Sequence, residues 1–132
     1  MFAIQCTWTL SPSLRRIAAR TDLAGAMAAA LASDDDSTVL HYVVHHYPRP
    51  RRELAAAMSE RLDRELARWT TVMARPDGAS KWFGNLVGVL DAGVAVLRDG
   101  GNVEAPLRRW AHALADHPEY RALGRQVGKY LR

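Results

Sequence analysis

The chain has 132 residues and a formal net charge of +4, a length that can bury one hydrophobic core without disulfide or metal staples. Its apolar and charged fractions, 48% and 24%, are those of an ordinary globular protein and exclude a disordered chain. Cys6 is the only cysteine, so the chain can assemble neither an internal disulfide nor a cysteine-based zinc site.

A pI near 9.7 invites a nucleic-acid reading. The make-up of the basic set argues against it. Lys81 and Lys129 are the only lysines among 18 basic residues, and there are twenty-two alanines. That bias is typical of a GC-rich bacterial genome, where codon pressure accounts for arginine without a functional demand. The N-terminal stretch MFAIQCTWTLSPSLRR has neither the basic start nor the long apolar run of a secretory signal. The expectation is a cytoplasmic protein with no membrane partner.

Residues 2–10 alternate strictly, with Phe2, Ile4, Cys6, Trp8 and Leu10 on one side. This period of two predicts a strand or an extended arm, and a lone strand needs a partner for its backbone groups. Ser11-Pro12 then opens a helix, the hydroxyl capping and the proline in the first turn. A second helix follows from Thr21 or Asp22, with Leu23, Met27, Ala30 and Leu31 at helical spacing. Residues 38–47, TVLHYVVHHY, fit a short helix through Leu40, Val43, Val44 and Tyr47. Their β-branched and aromatic content also fits a strand paired with residues 2–10. Three aspartates before the segment and Pro48 after it favour the helix.

Residues 51–75 form the clearest amphipathic pattern, with Leu54, Met58, Leu62, Leu66, Trp69 and Met73 three or four apart. Glu60 and Arg64 stand four apart in the favourable acid-first order. The densest apolar run, residues 80–98, reads SKWFGNLVGVLDAGVAVLR and predicts a central helix covered on most sides. Gly84, Gly88, Asp91 and Ala95 share one of its faces, and Gly84, Gly88 and Gly93 point to a close helix crossing. The run is too short and too interrupted to span a bilayer, which needs about 20 apolar residues. After Asp99-Gly100-Gly101, residues 103–115 and 118–131 give two more helices, with stripes through Val103, Leu107, Trp110 and Leu114, and through Tyr120, Leu123, Val127 and Leu131. The expected fold is an all-α orthogonal bundle of six to seven helices in a single domain over 1–132, with an N-terminal strand or arm at 1–10.

Candidate sites are few. His41 and His45, four apart, would share a helix face and could ligate a metal, but such sites need a third ligand, and His46 is expected to point elsewhere. The run from Trp82, WFGNLVGVLDAGVAVLRDGGNVEAPLRRWAHALADHPEY and then RALGRQVGKYL, resembles the middle of a globin over about fifty residues. A helix, a short link, a histidine-bearing helix and a proline-led helix follow in that order. The resemblance implies His112 as a haem ligand, although the final globin helix would have no room before Arg132. Residues 51–69 also resemble bacterial DNA-binding helices, yet no turn separates two helices there. The last helix carries Arg121, Arg125, Gln126, Lys129 and Arg132, which could meet phosphates and bases.

No nucleophile elbow, phosphate loop or marked carboxylate pair is present. Asp91 is the one acid expected near the core. The leading expectation is a protein–protein interaction or adaptor module without a cofactor, self-associating or bound to a protein partner in a bacterial signalling or defence assembly. Its expected interface residues are Phe2, Ile4, Trp8, Trp69 and Trp110, since tryptophan is enriched among interface anchors. Nucleic-acid binding through the last helix is the alternative, and haem or metal binding a minor one.

Overall fold

The computed structural model describes residues 23–33, 37–76 and 83–131. Six α-helices pack together there and no strand is found among the described residues: α1 (Leu23–Ser33), α2 (Ser37–His45), α3 (Ala55–Met73), α4 (Phe83–Arg98), α5 (Glu104–Ala115) and α6 (Arg121–Lys129). Two short 3₁₀ turns, Arg51–Leu54 and Pro118–Tyr120, lead into α3 and α6. The protein is an all-α bundle, as its apolar spacing predicts. The alternating segment with Phe2, Ile4 and Trp8, the helix opened by Ser11, the start of the apolar run at residues 80–82 and the terminal Arg132 lie outside the described residues.

The ambiguous segment 38–47 is helical as far as His45. Val39, Leu40, Val43 and Tyr47 are buried, a helical stripe that seats α2 against α4. Burial of that stripe outweighs the strand preference of its β-branched residues. The helix expected from residue 51 begins instead as a 3₁₀ turn after Pro50, and the Arg51 backbone N–H donates to Asp99 Oδ2 at 2.8 Å. That bond ties the entry of α3 to the end of α4.

The central position expected for α4 is shared with α3. α4 packs on α2, α3 and α5, whereas α3 packs on α1, α4 and α5. The tight crossing falls at Gly93, one of the glycines expected to mark it, and off the face shared by Gly88, Asp91 and Ala95. A Cβ at Gly93 would stand 3.1 Å from both Leu62 Cδ2 and Leu107 Cδ2, whereas at Gly88 the nearest atom is Leu40 Cδ1 at an ordinary 3.8 Å. Asp91, expected near the core, is exposed. A carboxylate on that face keeps its hydration rather than losing it in an apolar crossing.

The turn after α4 was legible. Gly100 takes a left-handed φ of 91°, and the Gly101 N–H donates to Val96 O at 2.9 Å, closing the helix end.

The two tryptophans expected at an interface are core residues. Trp69 is 1% exposed and Trp110 is fully buried. Their rings meet with centroids 5.5 Å apart, and Trp110 Nε1 donates to Leu62 O at 2.9 Å. Tyr120 and His117 both stand edge-on to Trp69, at 5.7 and 5.0 Å. The indoles belong to the same apolar stripes as Leu62 and Leu107, so folding α3 against α5 covers them.

The buried face of α3 also holds charge. Arg61 is 2% exposed and Glu65 5%, paired at 3.3 Å from Nε to Oε1. Arg68 meets the same carboxylate at 3.3 Å, and Arg61 Nη1 donates to Leu31 O at 3.1 Å. Arg64, expected beside Glu60, donates to the carbonyls of Leu31 and Ala32. Two guanidiniums thus satisfy the C-terminal carbonyls of α1, where the helix dipole favours cations.

Candidate functional site

His41 and His45 share one face of α2, and His46 follows its last residue. His41 and His45 are exposed, and their ring centroids lie 4.5 Å apart, as a spacing of four residues on a helix dictates. His46 is half-buried and comes closer than expected, 5.6 Å from His41 and 6.4 Å from His45, with Tyr42 at 6.0 Å. Burial lowers the proton affinity of His41, and the charges of His45 and His46 lower it further. Among the described residues no group of three or more His, Cys, Asp or Glu is arranged to hold a metal ion.

Glu53 and Asp91 do not join the two histidines in a metal-holding group. Glu53 accepts a hydrogen bond from the Tyr47 hydroxyl and pairs with Arg49 at 2.8 Å. The Tyr47 bond is the main cause that holds the Glu53 carboxyl below its ordinary range; desolvation opposes it, and the Arg49 bond and the charges of Arg49 and Arg52 add to the lowering. Burial, then the bond to Glu53, pushes the Tyr47 phenol upward.

His112, the residue that the globin resemblance singles out, lies on the surface. It is exposed on α5 and lines a shallow hollow of about 200 Å³ with Arg108, Ala111, Ala115, Gly128 and Leu131. The adjoining helices are in close contact: a Cβ at Gly124 would lie 3.1 Å from Leu114 Cβ and 3.2 Å from Ala111 O. Contact that close leaves no gap between α5 and α6 at Gly124.

Arg121, Arg125, Gln126 and Lys129 are all exposed on α6. Arg121 Nε donates to Ala115 O at 3.4 Å, back toward the end of α5. Acids answer other surface arginines, Arg109 holding Asp63 by two bonds of 3.0 Å and Arg108 holding Glu104. The positive surface is therefore broken by carboxylates.

Gln126 and Lys129 belong to a different feature, a groove of about 350 Å³ between α4 and α6. Val87, Leu90, Asp91 and Val94 line it from α4; Leu123, Gln126, Val127 and Lys129 line it from α6, with Tyr130 beyond. Tyr130, 49% exposed, is the one large hydrophobic side chain standing out to solvent among the described residues. Asp91 and Lys129 make no ion pair there among the described residues. Sequence reasoning missed this site because its walls come from helices thirty residues apart. The available signal was that Leu123, Gln126 and Tyr130 recur at helical spacing beside the core stripe of α6.

No family model, no curated protein and no solved structure matches the chain.

Proposed function

We propose that the protein is a helical interaction module that associates with a second copy of itself through the groove between α4 and α6. The observation that carries this reading is an apolar floor of Val87, Leu90, Val94 and Leu123 beside the exposed Tyr130. An apolar groove of this kind is a common seat for a partner helix. Asp91 on one wall and Lys129 on the other make the patch self-complementary, because a two-fold axis would set each against its opposite in the second copy. The setting we propose is an adaptor in a bacterial cytoplasmic assembly, of the signalling or defence kind by analogy with other small helical bundles.

Light scattering of the full chain over a range from about 1 to 100 µM, where weak interfaces dissociate, tests it. The expected result is a mass that rises with concentration, falls back to the monomer in Tyr130→Ala, and survives deletion of residues 1–10. Loss of association on that deletion alone would move the interface to Phe2, Ile4 and Trp8. A monomer throughout would reject self-association.

The exposed Arg121, Arg125 and Lys129, four apart along α6, favour a second reading as a phosphate-contacting face. Duplex DNA binding at about 50 mM salt that disappears in Arg121→Ala/Arg125→Ala would support it.

A further inference from the structure

The interaction groove leaves the histidine face of α2 without a role. We infer that His41 and His45 form a two-point binding site for one borderline divalent transition ion, of the zinc, nickel or copper class. With metal–nitrogen bonds of about 2.0–2.1 Å, two imidazoles aimed at one ion place their ring centres roughly 4.5–5.2 Å apart, from square to tetrahedral angles. The His41 and His45 centroids, 4.5 Å apart, already meet that distance, and both rings are exposed to arriving ions. A helix supplies the arrangement at little cost, because residues four apart project from one face at neighbouring turns.

His46 does not belong to the site. Its ring is half-buried beside Tyr42, and its distances of 5.6 and 6.4 Å from the other two rings exceed that span. No third protein ligand is arranged there among the described residues. The ion is thus held at two positions and keeps the rest open to water. Imidazole pairs favour zinc, nickel and copper over calcium or magnesium, which prefer oxygen ligands.

The test is calorimetric titration of the full chain with zinc chloride and, separately, nickel chloride, in a Cys6→Ser background that removes the one thiol. The expected result is one ion per chain, with affinity lowered about tenfold or more by His41→Gln and by His45→Gln. His46→Gln and His112→Gln should leave it unchanged. Thermal melts provide the second readout: an ion that binds the folded helix raises the melting temperature, and this rise should vanish in the His41 and His45 variants. Because both side chains are exposed, neither variant should unfold the protein. No uptake at about 100 µM metal, far weaker than a specific site requires, overturns the inference, as does uptake that depends on His46 or His112 instead.

Discussion

The seam between α3 and α5 and the groove between α4 and α6 both carry apolar side chains, but one is closed and the other open. In the seam, Trp69 and Trp110 meet at a tilt, Trp110 hydrogen-bonds the Leu62 carbonyl, and Gly93 lets Leu62 and Leu107 close onto α4. In the groove, Val87, Val94 and Leu123 face a space of about 350 Å³ with an exposed tyrosine beside it. Filled apolar surface specifies the fold, whereas apolar surface left facing a gap is where a partner can gain by binding.

Substitutions in the two regions should therefore separate stability from association. Trp110→Ala empties the seam and should cost about 3–5 kcal/mol in urea unfolding, the usual range for deleting a buried aromatic. Glu65→Ala should cost a similar amount, about 3–5 kcal/mol, because it leaves the buried Arg61 without its carboxylate partner. A loss below about 1 kcal/mol, the range of surface ion pairs, would mean the pair is solvated.

Glycines give a sharper contrast because the sign should change. A Cβ at Gly101 would fall 2.5 Å from Val96 Cγ1 and 2.9 Å from the Val96 carbonyl oxygen. Gly101→Ala should therefore destabilise by about 1–3 kcal/mol through overpacking. Gly128, near the end of α6, has no atom within 4 Å of such a Cβ. Gly128→Ala should stabilise by about 0.5–1 kcal/mol, the helix cost of glycine. Matching signs at the two sites would show that the close approach at Gly101 does not govern packing there.

The smallest expected effect concerns pH and lies outside both regions. The Glu53 carboxyl is held low in the folded protein, so its contribution is present above the ordinary carboxylate range and is lost as pH falls through the lowered value. The Tyr47 phenol is raised, so its contribution holds below the ordinary phenol range and is lost as pH rises beyond it. Tyr47→Phe should flatten both limbs of a stability–pH curve measured by chemical unfolding. A variant with the same acid and alkaline slopes as the parent would mean that the Tyr47–Glu53 bond is not the source of either.

Much of this architecture was legible in the sequence. The stripe from Leu54 to Trp69, the Gly100-Gly101 stop and the Pro118 start each mark a local event that chain spacing records directly. The tryptophans were misplaced because spacing says which face of a helix is apolar, not whether a neighbour or a partner covers it. Arg61 and Glu65 were missed for the converse reason. Charged residues within an amphipathic pattern read as a solvated face unless the partner carbonyl, here that of Leu31, is already in place. Asp91 was assigned to the core from its small neighbours Gly88 and Ala95, yet the tight approach falls at Gly93. The groove depends on how α4 and α6 meet across the bundle, and no local pattern encodes that meeting. The His41–His45 pair was visible from its spacing alone, and the structure added the distance between the rings.

Charge exchange across the groove, read by sedimentation velocity, tests self-association through that face most directly. Asp91→Lys alone would set like charges opposite each other in a two-fold dimer, and so would Lys129→Asp alone. The double variant restores opposite charges. Weakened association in each single variant and recovery in the double, with urea midpoints unchanged throughout, is the expected result. A monomeric parent, or a double variant no better than the worse single one, would contradict it.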